Sequence, residues 1–299
     1  MNKFEILQSD IVFLQQLILI SIHTIMLKKY SFACALLLVS TALMAQKSVT
    51  LTEPGTLSTQ LTTAERQSLT SLQIAGPLNG TDMLLLRTMA GANGTAGHLS
   101  DLDLSQASMV KGGDCYSAGK EQQNAYTQDN ALSTRLFYGC GSLRRVVIPN
   151  TVRRVSNDAF SACPALEEIA VDDNPLFTSI DGMLLRHDST LIYRCPQGRK
   201  LTTLTVSEGV KQIYPSAFRG MATLTEVNLP TTMQGVNDMA FWGCPQIRTI
   251  RIATPNPPAM ENAFDAAVLA SARLVVPKGA AERYRSKAGW ENFKNIVEE

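Results

Sequence analysis

Residues 224–241 read Leu-Thr-Glu-Val-Asn-Leu-Pro-Thr-Thr-Met-Gln-Gly-Val-Asn-Asp-Met-Ala-Phe. The apolar skeleton is Leu224, Val227, Leu229, Met233, Val236, Ala240 and Phe241. The same skeleton occurs one step earlier as Leu201, Leu204, Val206, Val210, Ile213, Ala217 and Phe218. Further upstream it is Leu143, Val146, Ile148, Val152, Val155, Ala159 and Phe160. Ile247, Ile250 and Ile252 open another copy, closed by Ala263 and Phe264. Leu166, Ile169 and Val171 open one more, as do Leu99, Leu102 and Leu104. Leu136 and Phe137 precede Ala159 and Phe160 by the same step that separates Leu201 from Leu224. The starts at 99, 143, 166, 201, 224 and 247 define a 23-residue unit, with 21 extra residues (44 − 23) in one copy and 12 (35 − 23) in another.

The second and third apolar residues of each phrase alternate with polar ones, which is the period of a short strand. Copies at a fixed period stack, strand beside strand about 4.8 Å apart, and the small-plus-Phe pair fills the centre from another wall. A single unit cannot bury its own apolar face. Covering one such Leu or Phe with a neighbour contributes roughly 1.5–3 kcal/mol. The expected fold is a leucine-rich-repeat solenoid, a right-handed β/α-type superhelix of 23-residue coils with short parallel strands and a helical N-terminal cap.

That domain is expected over residues 99–299, with a C-terminal cap from about residue 270. Leu274–Pro277 reads as its last strand and Ala280–Ala288 as a helix, followed by Trp290 and Phe293. Residues 46–98 do not show the period and read as the helical cap. One helix is expected from Ser58 or Thr59 through Leu72, and a second is capped by Asp82 and ended by Gly91. Residues 26–45 have the form of a secretory signal peptide: Lys28 and Lys29, then an apolar run from Phe32 to Leu43, then Ala45 before Gln46. Residues 1–25 read as a mis-assigned extension ahead of a start at Met26. The 21-residue insertion is polar and is expected as a surface loop. The 12-residue one, within 178–195, is expected as a protruding β-hairpin.

Cleavage after Ala45 leaves Cys115, Cys140, Cys163, Cys195 and Cys244. Cys140, Cys163 and Cys244 each stand at the third place after the repeat Phe, with Met221 in the same place between them, a column suited to core packing. A Cys140–Cys163 disulfide remains open, and the pairing of Cys115 and Cys195 cannot be read. No zinc spacing is present.

The phrases Leu224–Pro230 and Asp158-Ala-Phe-Ser-Ala-Cys163, the ending Val276–Gly279 through Gly289–Phe293, and the head Gly76–Asp82 resemble the BspA-like leucine-rich repeat family. The resemblance covers about residues 55–299. It implies an exported, often cell-surface protein of Bacteroidetes type that binds proteins, with adhesion proposed for some members and no catalytic residues to carry over.

Function read from the residues agrees. The 27 Lys+Arg against 26 Asp+Glu leave no basic excess for nucleic acid. No phosphate loop, His-Glu-x-x-His or Gly-x-Ser-x-Gly turn occurs, and His98 and His187 are the only histidines after Met26. Hydrolytic catalysis is therefore the weakest reading, and no cofactor or metal is expected. The strand residues that alternate with the core form a candidate ligand face: Asp101, Asp103, Arg145, Val147, Glu168, Thr203, Thr205, Glu226, Asn228, Thr249 and Arg251. An ordinary solvated sheet face is the plain alternative. The insertion hairpin offers a second candidate through His187, Asp188 and Tyr193, since binding residues concentrate on loops held by a rigid frame. The expected partner is a protein, host or bacterial. The mature chain is expected to be a monomer without stable membrane insertion, in the periplasm, at the cell surface or outside. A structural role in assembling the envelope is the alternative.

Overall fold

In the computed structural model, residues 46–118 and 124–299 are described. The proposed extension over 1–25 and signal peptide over 26–45 lie outside the described residues. In chain order the strands are β1 (Gln46–Thr50), β2 (Ser71–Leu78), β3 (Asp101–Asp103), β4 (Ala107–Met109), β5 (Gly112–Ser117), β6 (Ala125–Thr127) and β7 (Ala131–Leu132). They continue as β8 (Arg145–Ile148), β9 (Arg154–Val155), β10 (Glu168–Val171), β11 (Phe177–Ile180), β12 (Met183–Arg186) and β13 (Leu191–Arg194). The last are β14 (Thr203–Thr205), β15 (Gln212–Ile213), β16 (Glu226–Leu229), β17 (Gly235–Val236), β18 (Thr249–Ile252), β19 (Ala259–Met260), β20 (Arg273–Val276) and β21 (Asn295–Glu298). The helices are α1 (Leu57–Gln60), α2 (Thr63–Ser68), α3 (Gly80–Met89), α4 (Ala266–Ser271) and α5 (Ala281–Arg285).

The apolar phrases become parallel strands of a leucine-rich-repeat fold. One row runs β1-β2-β3-β8-β10 and a second runs β14-β16-β18-β20-β21. Partners carry the same place in successive phrases: Leu102 opposite Val146, Val146 opposite Ile169, Leu204 opposite Val227, Val227 opposite Ile250. Another wall holds β15-β17-β19, also in parallel, and the pair β7–β9. Between the walls the repeat phenylalanines stack. Phe218, Phe241 and Phe264 lie 5.1 and 5.0 Å apart with near-parallel rings, and Phe137 lies 5.2 Å from Phe160. The backbone follows the same ladder: Phe137, Phe218 and Phe241 donate their N–H to Ala159, Ala240 and Ala263 at 2.8, 2.8 and 2.9 Å. The buried residues nevertheless fall into two clusters, dividing between Leu184 and Leu185 on β12.

The cysteine column is core. Cys140, Cys163, Cys195 and Cys244 are fully buried, and the five cysteines of the described residues are all free thiols. The Cys163 and Cys244 thiols donate to the carbonyls of Phe137 and Phe218 at 3.0 and 3.2 Å. Cys195 has a place that its insertion hid. Its N–H donates to Ala217 O at 2.8 Å, the bond that Phe makes in regular copies. Beside it, Arg194 takes the place of the small residue.

Several expectations change. The cap over 46–98 is not purely helical. The helix expected through Leu72 ends at Ser68, and Ser71–Leu78 is strand β2, paired in parallel with β3 through Leu72 and Leu102. Leu72 and Ile74 are buried and alternate with polar neighbours, so they satisfy a sheet rather than a helix. Asp82 does not cap α3. Asn79 does, and Asp82 sits one turn in, accepting from the N–H groups of Asn79, Gly55 and Leu57. The 21-residue insertion is not simply a surface loop: β5 pairs antiparallel with β6, and Tyr116 is buried under the Arg87 guanidinium, 5.9 Å from the ring centre.

The hairpin does not protrude. Asp181 and Gly182, at φ +49° and +70°, make a tight turn from β11 into β12, and β12 turns again into β13. The resulting meander is built into the wall, because β13 pairs in parallel with β15 and Ile169 donates its N–H to Gly182 O at 2.9 Å. Gly182 is required there: a Cβ would lie 2.9 Å from Glu167 O. At the C-terminus, the helix expected over 280–288 is confined to Ala281–Arg285, Trp290 is fully buried with Nε1 donating to Pro258 O, and β21 adds a strand that the phrase pattern does not announce.

Candidate functional site

Alternation along the strands turns two rungs of side chains outward in each half of the row. In the first half, Asp101 stands opposite Arg145 and Arg145 opposite Glu168, while Asp103 stands opposite Val147 and Val147 opposite Ala170. In the second half, Thr203, Glu226, Thr249 and Arg273 are in register, as are Thr205, Asn228, Arg251 and Val275. All eleven face residues named from the sequence are therefore on these rungs. They do not form one continuous surface, because β10 and β14 belong to different sheets and the meander enters between them.

The first half is a groove of about 460 Å³. Its floor is apolar, since Val147 and Ala170 are only 5% and 8% exposed although they point outward. Its walls carry Asp103, Arg145 and Glu168, and the β11–β12 turn closes one side with Asp181. Arg145 Nε pairs with Glu168 at 2.9 Å. Asp103 is held by Ser105 N–H and Gln73 Nε2 at 2.9 and 3.1 Å. Asp172 also lines the groove, so four carboxylates face one guanidinium and the potential there is negative. The second half is more balanced. Arg251 bridges Glu226 and Glu299, and Asn228 donates to Thr205 Oγ1 at 3.4 Å. It borders a groove of about 410 Å³ with Val275, Val276 and Pro277 in its wall.

The three hairpin candidates separate. His187 and Asp188 are exposed in the β12–β13 turn. Asp188 serves that turn by accepting from Arg186 and Thr190, and the Arg186 guanidinium beside it holds its carboxyl well below the usual range. Tyr193 instead packs edge-on to Phe177 at 5.2 Å and against Tyr214 at 4.9 Å, on the wall that carries β13 and β15.

Other residues of the rungs and of the first groove escaped the sequence reading. Ser71 and Gln73 extend the two rungs by one strand, and the signal was present: Leu69-x-x-Leu72-x-Ile74 has the repeat spacing. Asp172 and Asp181 follow a strand and sit in a turn, where no period points to them. Among the described residues, no group of three or more His, Cys, Asp or Glu is placed to hold a metal ion, and no helix is long and apolar enough to cross a membrane.

Residues 192–274 match the family model described as BspA type Leucine rich repeat region (6 copies). The resemblance carried by the repeat phrases holds over that stretch. No curated protein matches the chain. Among solved structures, the chain is similar to a leucine-rich repeat protein from Eubacterium ventriosum at 15% identity and TM-score 0.42, over 72% of this chain and 62% of that one. It is similar to a leucine rich cell surface protein from Faecalibacterium prausnitzii at 18% identity and TM-score 0.41, over 78% and 64%. A leucine-rich repeat protein from Bacteroides ovatus aligns at 15% identity and TM-score 0.38, over 85% and 66%. The chain spans less than two thirds of the length of each of these three.

Proposed function

We propose that this chain, with its BspA-type repeat region, is an exported protein-binding scaffold that adheres to a host or bacterial surface protein and has no catalytic role. The observation that carries the reading is the groove over β3, β8 and β10, where Asp103, Arg145 and Glu168 surround the apolar floor of Val147 and Ala170. A rigid sheet presenting charged groups around a small apolar floor suits recognition of another protein's surface. The excess of carboxylates favours a partner that presents Lys or Arg there. In this reading the two rows of strands are turns of one right-handed solenoid with 23-residue coils, the segment before Gln46 is removed on export, and the mature chain is a monomer.

The full-length chain is expressed in an exporting host, recovered, and screened against an array of host and bacterial surface proteins. Expected results are a mature N-terminus at Gln46 by mass spectrometry, a monomer by light scattering, and a partner bound at micromolar concentration. That binding should be lost in Asp103→Arg with an unchanged circular dichroism spectrum. If no partner binds reproducibly, or if every partner survives the charge reversal, the groove is not the binding surface.

A further inference from the structure

A second site lies on the other wall and is independent of the strand-face groove. The pair β7–β9 ends at β9, and the neighbouring six-stranded sheet begins at β11. In regular copies that wall continues from one coil to the next, as from β15 to β17 to β19. Here the insertion interrupts it and leaves a groove of about 500 Å³ bordered by the two sheets. Val155 on β9 lines it, with Phe177, Tyr193 and Tyr214 of the other sheet. These three rings form one cluster through contacts of 5.2 and 4.9 Å, with both tyrosines half-buried.

Charge makes the groove selective. Arg153 and Arg154 line it and are exposed, and neither pairs with a carboxylate among the described residues. No Asp or Glu lines the groove. Asp158, close in sequence, is engaged by Thr134, Ser156 and the Arg135 N–H, and Asp188 of the meander is engaged by Arg186. Two adjacent guanidiniums with free donor forks match carboxylates bidentately, and the aromatic cluster beside them matches an apolar side chain. Strand β9 has a strand neighbour on one side only, so an extended backbone can run along its open edge.

We propose that this groove binds an extended acidic peptide segment of a partner protein, its carboxylates on Arg153 and Arg154 and an apolar residue against Phe177, Tyr193 and Tyr214. The combination favours peptide over polyanion, because the positive charge is confined to two residues and the rest of the groove is aromatic and aliphatic.

The test uses the full-length chain and a fluorescein-labelled peptide of alternating Glu and Phe, followed by fluorescence anisotropy. A Lys–Phe peptide of equal length and a hyaluronan oligosaccharide are the comparisons. The Glu–Phe peptide binds and the Lys–Phe peptide does not. Arg153→Ala with Arg154→Ala weakens binding at least about tenfold, as loss of charge-assisted bonds requires. Both sites are exposed, so circular dichroism is expected to be unchanged. Asp103→Arg leaves this binding intact, which separates the result from the fate of the strand-face groove. The proposal is overturned if the Glu–Phe peptide does not bind, if both peptides bind equally, or if the double variant binds like the parent. It is also overturned if Asp103→Arg abolishes binding, or if hyaluronan displaces the peptide at lower concentration than unlabelled peptide does.

Discussion

Arg87 and Arg194 are buried beside the phenylalanine column, and neither has a carboxylate partner among the described residues. Arg194 donates to Ser216 O at 2.6 Å and Phe160 O at 3.2 Å, and Arg87 to Arg135 O and Leu136 O at 2.7 and 3.2 Å. Both stand at insertions: Arg87 lies over Tyr116 of one, and Arg194 ends β13 of the other. In regular copies carbonyls on either side of a repeat Phe are covered by the preceding coil, as when Ser161 O accepts from Gly139 and Asp238 O from Ser216. Beside the insertions, guanidiniums cover such carbonyls. Arg194→Met, which keeps the volume and removes the donors, is expected to lower stability by about 1.5–3 kcal/mol, read from the urea midpoint. Burial also sets the cysteine chemistry: it pushes the thiols of Cys140 and Cys195 up to about 12 and those of Cys163 and Cys244 up to about 11. A maleimide at mildly alkaline pH is therefore expected to leave these four unmodified in the native protein and to label Cys115, the half-buried one, as peptide mapping would show. The role of Cys140, Cys163 and Cys244 was legible from their fixed offset after Phe. That of Cys195 was not, because the residue before it is Arg rather than Ala.

Among the elements, α2 is held by a capping box in which Thr62 and Glu65 exchange hydrogen bonds, and Lys47 adds an ion pair at 2.6 Å. The Lys47 ammonium and the Thr62 donors hold the Glu65 carboxyl down at about 2. A depressed carboxyl contributes its stabilisation fully above the ordinary carboxylate range and loses it as pH falls toward the folded value. Amides of α2 are accordingly expected to exchange faster, after correction for intrinsic rates, as pH drops from about 4.5 toward about 2, and Glu65→Gln should remove most of that dependence. This helix also explains what the sequence concealed nearby. The phrase Leu69-x-x-Leu72-x-Ile74 precedes the one at Leu99 by more than one repeat step, so it falls off the period, and the helical residues just ahead of it invite an extension through Leu72. The β5–β6 and β11–β12–β13 elements were harder still, since insertions obey local turn chemistry and not the repeat. The polar turn at His187 and Asp188 was the one legible in the insertion, and it joins β12 to β13; the Asp181-Gly182 turn that adds β11 was not anticipated.

For the described region as a whole, the parallel rows follow from the repeat phrases, and so do the outward rungs. The grooves follow from the insertions, whose paths no period dictates. The division of the core between Leu184 and Leu185 has an energetic counterpart. In a stack where each strand touches only its neighbours, stability is close to a sum of local terms, so cooperative units can part where the buried core divides. Two urea transitions are expected. Phe137→Ala should destabilise one transition and Phe241→Ala the other, each by about 3–5 kcal/mol for loss of a buried ring. A single transition shifted equally by both variants would refute a divided core. The meander at that junction also has a mechanical meaning. A pull on Glu299 peels β21 from β20 and then β20 from β18, breaking a few hydrogen bonds at a time. When the peel reaches β13, β15 has already gone, but β13 is still paired antiparallel with β12 and the guanidinium of Arg194 still donates to Phe160 O. Under a load applied at that end, the insertion acts as a ratchet stop that protects the first half when the second has given way.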